Sequence, residues 1–348
     1  MRPKLPVSPA SNRVGIAVIH AVSFAAARFS AGNCHFCQYP LHCPAPNLMG
    51  AGALAMRVDR LINVLAVITL IEMMVTIGLG VAWSDVLSVS RNYGWVVRAV
   101  LANYILVPAA ALGLLLLFHA SPMVAVGFLV AVVCPGAPYG PPFTAMAKGN
   151  VAVSVGLMVI LAGSSAIVAP LLLQFLLPIV VGDIPLRINV IKIVGILLGA
   201  QLFPLCVGLM VRQRYPVWAE RFKKPAGVLS VLLNLLLLAS ILFVQFRVLL
   251  EIRLVGYVGM LSLVIATFVC GWLAGGRRSE NRKVMVFTTS VRNVGVGLVI
   301  VTASFPGMPA VASATAYALF QTIVIALVAL AWGRLTPADI GLVKMRAA

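Results

Sequence analysis

The chain has 348 residues, of which 62% are hydrophobic and 10% charged, against about 25% charged in a soluble domain. Its mean hydropathy is +1.08 and apolar runs of about 20 residues recur along most of its length, which leaves no room for a separate soluble domain and is the wrong pattern for a transmembrane barrel. The net charge of +18 reads as Lys and Arg on cytoplasmic loops rather than as nucleic-acid contact.

In chain order, residues 1–56 stand apart as an N-terminal extension, and residues 57–348 form the membrane domain. "VGIAVIHAVSFAAA" (14–27), between Arg13 and Arg28, has the length of a signal-peptide core or of a degenerate first helix. "NCHFCQYPLHC" carries zinc-binding residue types, but the order Cys34, His35, Cys37, His42, Cys43 fits no established ligand spacing and reads as an irregular tail. Met56, opening "MRVDRLINV", would make a natural start to the protein.

Nine apolar spans follow, at 60–81, 95–118, 123–146, 150–178, 188–211, 225–246, 254–274, 284–305 and 309–333. The fold class is an all-α polytopic membrane protein with nine transmembrane helices, or ten if the extension adds one. Basic segments at 212–224 and 277–283, and the tail with Arg334, Lys344 and Arg346, are separated by two helices each and share one side with Arg91 and Lys148. The positive-inside rule makes that side, and the C-terminus, cytoplasmic. Cys134, Cys206 and Cys270 fall in apolar spans and read as small packing residues.

Two spans are interrupted. "CPGAPYGPPFTAMAKGN" (134–150) holds four prolines and three glycines, and "TTSVRNVGVG" (288–297) puts polar residues at membrane depth. Such backbone is tolerated in a bilayer only where it is buried in protein or lines a cavity. The breaks are expected near 138–142 and 291–295. They fall in the third and eighth spans, an odd step apart, so the two helices would run in opposite directions, the pattern of an inverted repeat with a binding site between its broken helices. Arg292 lies in the second break. It either holds a ligand or is paired with a carboxylate or with helix C-terminal carbonyls, and Glu72 is the clear carboxylate within a span.

"GLGVAWSD" (78–85), "ANYILVPAAALGLLL" (102–116), the stretch 134–158 and "VRNVGVGLVIVTASF" (291–305) resemble, in order and spacing, the motifs of the bile acid:sodium symporter family over about residues 58–333. The resemblance implies a core domain with two crossing discontinuous helices, a panel domain, and alternating-access transport of organic anions, usually with Na⁺. The spans hold no nucleophile–base pair and no metal triad, so no enzymatic activity, cofactor or resident metal is expected. The resemblance also implies a multi-pass plasma-membrane protein of the bacterial inner-membrane type, partnered by the lipid bilayer and a small organic anion, with no nucleic acid.

Departures from the family pattern fall on the implied sodium ligands. Gly140 and Pro141 stand where relatives carry Ser-Asn; Ser154 is kept; Met158 replaces a threonine. Thr288 replaces the bridging glutamate, Arg292 and Asn103 replace glutamines, and Asn293 is kept. Two readings follow: an anion transporter in which Arg292 stands in for the sodium charge, with proton coupling or exchange, or a non-transporting sensor or scaffold that retains the fold. The substrate cavity is expected to be lined by Asn103, Tyr139, Gly140, Pro141, Ser290, Arg292 and Asn293, with the ion positions at Ser154, Met158 and Thr288. Gln321 and Thr322 fall near positions where relatives hold substrate, or serve helix–helix hydrogen bonds; Tyr104 and Tyr317 read as packing residues.

Overall fold

The structure is a computed structural model and describes residues 48–182, 188–250, 252–305 and 308–335. The expectations for residues 1–47, including the Cys/His segment, lie outside the described residues, as do Lys344 and Arg346. Every regular element among the described residues is helical. The order is α1 (Leu48–Gly80), α2 (Trp83–Ser90), α3 (Tyr93–Leu117), α4 (Pro122–Val132), α5 (Gly140–Met146), α6 (Val151–Val181), α7 (Val190–Arg214), α8 (Pro216–Leu250), α9 (Leu254–Ala274), α10 (Ser279–Ser290), α11 (Val294–Ser304) and α12 (Pro309–Leu335). Among the described residues eight segments are long and apolar enough to cross a membrane; the expected third span is instead divided between α4 and α5.

Helix starts follow local chemistry. The side chains of Asn150, Asn189 and Asn293 accept hydrogen bonds from the backbone N–H three residues on, at 3.2, 3.0 and 3.2 Å, and so cap α6, α7 and α11. Pro141 and Pro142 do not sit in the first break, as expected, but in the first turn of α5, where a missing N–H costs nothing. α3 and α7 each contain one π-turn, Ala102–Leu106 and Leu198–Leu202. Each is followed by a proline, Pro108 or Pro204, which cannot donate to the ladder; local widening accommodates the lost bond.

α1, α7 and α8 pack together, and α1 also lies against α11. The α1–α7 crossing depends on two glycines. A Cβ at Gly78 would lie 2.6 Å from the Leu205 carbonyl oxygen and 2.7 Å from the Gly208 Cα. Between lipid-solvated helices, close backbone approach of this kind supplies the packing attraction. Gly78→Ala is therefore expected to destabilise the protein by about 1–3 kcal/mol, the range for overpacking, read as a lowered melting temperature in detergent.

Two basic segments are not loops. α7 and α8 are separated only by Tyr215, and Arg212 reaches Glu220 at 2.7 Å across that corner. The other basic segment folds back: Arg282 lies 4.5 Å over the Trp272 ring, and Lys283 is 3% exposed with its ammonium 6.0 Å from the Trp332 centroid. Cys134 is buried as expected, whereas Cys206 is exposed and Cys270 half-buried.

Candidate functional site

Both interruptions are real breaks, and they meet. Helix stops at Val132 and resumes at Gly140; it stops again at Ser290 and resumes at Val294. The Asn293 N–H donates to the Cys134 carbonyl at 2.8 Å, and Asn293 Nδ2 reaches the Gly136 carbonyl at 3.5 Å. Asn293 thus caps α11 with its oxygen and binds the first break with its nitrogens. Gly136 has φ +79, a conformation that suits glycine and lets the first break lie directly against Ala162 of α6.

Arg292 is 1% exposed. Its Nη1 donates to Asn103 Oδ1 at 3.1 Å, its Nη2 donates to the Thr289 carbonyl, and its Nε has no hydrogen-bond partner among the described residues. No salt bridge to Arg292 exists among the described residues. Glu72 is elsewhere: it accepts from Thr76 at 2.8 Å and from Ser230 at 2.6 Å, within α1 and across to α8. The pairing of Arg292 with Glu72 that the sequence allowed is therefore not made. The carbonyl alternative is made, at the C-terminal end of α10. Asn103 is aimed by the π-turn of α3 and by its own Nδ2 donating to the Ala99 carbonyl at 2.9 Å.

Beside the guanidinium is a small recess of ≈ 10 Å³, room for about one water, bordered by Arg292, Asn293, Gly297, Ala314, Ala318 and Gln321, among others. Unpartnered buried polar atoms gather around this second break: Thr288 Oγ1, Thr289 Oγ1, Ser290 Oγ, Arg292 Nε, Tyr317 Oη and Gln321 Oε1. Dry unpaired polar groups are costly, so a concentration of them marks a place built to meet water or a ligand. With room for about one water it is far below the 300–1,000 Å³ or so typical of small-molecule pockets, so an organic ligand requires the surrounding helices to move apart.

The structure brings Asn103, Arg292, Asn293 and Gln321 together. Gly140 and Pro141 are buried at the start of α5, where a Cβ on Gly140 would come 3.9 Å from the Phe287 carbonyl, and Tyr139 is half-buried at the same point. Thr322 is half-buried and turns its hydroxyl to the Ala318 carbonyl of its own helix at 2.7 Å. Ser154 shares a hydrogen bond with Thr144 at 3.0 Å, and Met158 belongs to the apolar core. Tyr104 braces α3 against α6 through the Leu161 carbonyl (3.1 Å) and Ser164 (2.8 Å). Tyr317 packs on Phe128 with centroids 5.4 Å apart, yet its buried hydroxyl is unpaired and lies within electrostatic reach of Arg292. Sequence reading also passed over Gln201, fully buried in the π-turn of α7, whose Nε2 donates to the Ala162 carbonyl and, at 2.9 Å, to Ser165. Polarity inside an apolar span was the available signal for both.

Long apolar helices, two of them broken around a polar recess, are the architecture of a multi-pass membrane protein. A family model described as the Sodium Bile acid symporter family matches residues 67–252, and the chain belongs to that family. Its members are transporters, not enzymes. The chain is 27% identical over 248 residues to the "Uncharacterized sodium-dependent transporter YocS" of Bacillus subtilis (strain 168), covering 68% of this chain and 73% of that one. It is 28% identical over 170 residues to the "Probable sodium/metabolite cotransporter BASS2, chloroplastic" of Oryza sativa subsp. japonica, covering 48% of this chain and 39% of the relative.

Proposed function

We propose that the protein is a secondary transporter of a small organic anion, working by alternating access, in which Arg292 replaces a coupling sodium ion as the positive charge of the site. The observation that carries this reading is a buried guanidinium without a carboxylate, held by Asn103 and the Thr289 carbonyl, with Nε unpaired beside the recess. An anion accepting from Nε would neutralise a charge that the protein itself leaves unneutralised. Asn293, Gln321 and Ser290 supply further polar groups, while Tyr139, Gly140, Pro141 and Thr322 come into contact as the recess widens. In this reading the architecture is an inverted repeat of nine transmembrane helices in core and panel domains, with α4/α5 and α10/α11 as its crossing discontinuous helices. Residues 1–56 are an extension to it. It resides in a bacterial-type inner membrane with its C-terminus cytoplasmic.

Both relatives carry sodium in their names, but the corresponding positions here argue for a different coupling. Na⁺ needs a cage of oxygens. Pro141 and Met158 offer none from their side chains, the Ser154 hydroxyl is engaged by Thr144, and Arg292 would repel a cation. Uptake of an organic anion into proteoliposomes is expected to persist when Na⁺ is replaced by choline at fixed pH. Uptake that vanishes in choline would show the sodium reading of the family to hold for this chain as well.

A further inference from the structure

Glu72 has no role in the anion site, and its position is unusual. Among the described side chains it is the acidic residue in the interior of a membrane-crossing helix; Asp85 and Glu280 fall in the first turns of α2 and α10, and Glu220, the fifth residue of α8, is paired with Arg212 at the helix start. An ionisable residue at such depth marks an ion or proton path more often than a structural contact. It is half-buried and both oxygens are engaged, Oε1 by Thr76 and Oε2 by Ser230. The helix that carries it packs against α11, which follows the second break. Leu70, two residues earlier, comes within 3.5 Å of a Cβ placed on Gly295, and Glu72 is close enough to Tyr139, at the end of the first break, for the two to interact electrostatically. Asn63 of α1 also accepts from Thr302 of α11 at 3.0 Å.

Among the described residues no salt bridge reaches Glu72. On α1, Arg60 is twelve residues away, about 18 Å along the axis. On α8 the basic cluster ends at Lys224, six residues or about 9 Å before Ser230, and Arg247 lies seventeen residues or about 25 Å beyond it. On α7, Lys192, Arg212 and Arg214 sit at the helix ends, with the Cys206 thiol between them exposed. α11 has no titratable side chain, which leaves the Tyr139 hydroxyl as the titratable neighbour from the first break.

We propose that Glu72 is the proton-coupling site of this transporter, an inference that rests on the transport reading above. The carboxylate takes one proton from the side to which the site is open and becomes a neutral acid. It gives that proton up on the other side after α1, α7 and α8 have moved against the broken helices. No other atom changes bonding. The hydroxyls of Thr76 and Ser230 donate to the ionised form and rotate to accept from the protonated one, so both states are satisfied. The same geometry favours a proton over Na⁺: two hydroxyls and one carboxylate from two helices are too few oxygens to replace a hydration shell, whereas a proton needs a single lone pair.

Two measurements on the full chain in proteoliposomes test this. Infrared difference spectra between roughly pH 5 and roughly pH 9, the range reached by buried carboxyl groups, are expected to show a protonated carboxyl band that Glu72→Gln lacks; an identical band in both would overturn the proposal. Ser230→Ala, which keeps the carboxylate but removes one donor, is expected to move the band's pH midpoint, and an unmoved midpoint counts equally against it. Vesicles loaded with a pH dye and given external taurocholate or pyruvate are expected to acidify with the wild type and not with Glu72→Gln. Equal acidification by both overturns the assignment of Glu72. If the wild type moves neither probe, the transport reading is what fails, and the infrared comparison still decides whether Glu72 takes up a proton.

Discussion

Arg292→Gln is expected to weaken anion binding by about 1.5–3 kcal/mol, or roughly 10- to 150-fold in Kd, the range for loss of a charge-assisted hydrogen bond. Stability should move the other way or not at all. The substitution removes two hydrogen bonds, to Asn103 and to the Thr289 carbonyl, but it also removes a charge that is 1% exposed and has no carboxylate beside it. A buried, unneutralised charge costs several kcal/mol, more than two hydrogen bonds return. The opposite account makes Arg292 a clamp on the end of α10. It requires the melting temperature of the ligand-free protein to fall while anion affinity stays unchanged. Equilibrium binding and thermal melting on the same preparation separate the two outcomes, because each account moves a different observable.

Gly136→Ala is expected to be strongly destabilising. The residue has φ +79, where an L side chain pays about 1–2 kcal/mol in backbone strain. The added Cβ would also come 2.6 Å from Ala162 Cα and into contact with the Ala162 nitrogen, both main-chain atoms that cannot rotate aside. With about 1–3 kcal/mol for overpacking, the total is on the order of 2–5 kcal/mol, enough to lower the yield of folded protein and its melting temperature. Gly140→Ala is the control, four residues on in the same proline-rich stretch. A Cβ there would find its nearest neighbour at 3.9 Å and enter the first turn of a helix, so little change is expected. Equal losses at both positions would mean that the stretch is intolerant as a whole and that the contact with Ala162 is not what matters.

The breaks were legible because backbone chemistry announces them: glycines and prolines in one span, Arg292 and Asn293 in the other. Their limits shifted for reasons equally local. Pro141 and Pro142 open α5 instead of interrupting it, and Gly295 lies within α11 because Asn293 caps that helix from outside. The π-turns went unforeseen. Pro108 and Pro204 follow them, but Pro170, Pro178 and Pro225 sit inside α6 and α8 without such widening, so proline alone does not predict one. Within the site, Asn103 and Arg292 are 189 residues apart and meet only through tertiary packing, which no spacing rule encodes. For the same reason the partner of Glu72 could not be read in advance: Ser230 is one of many hydroxyls in apolar spans, singled out only by the packing of α8 on α1.

Of the two contacts that join the breaks, one runs from the Asn293 side chain to the Gly136 carbonyl, and the other, Asn293 N–H to the Cys134 carbonyl, uses main-chain atoms alone. Any non-proline residue at position 293 could donate it, and any residue at all at position 134 could accept it. A crossing held in this way does not depend on the neighbouring side chains for its register. Positions such as 140, 141, 158, 288 and 292 are thereby released from a structural duty and left open to chemical change. A lineage could exchange a glutamine for an arginine, or a threonine for a methionine, without passing through an intermediate in which the helices no longer cross. If Arg292 stands in for the coupling ion as proposed, the ion is a replaceable part of this architecture, and the main-chain joint between the breaks is what stays fixed.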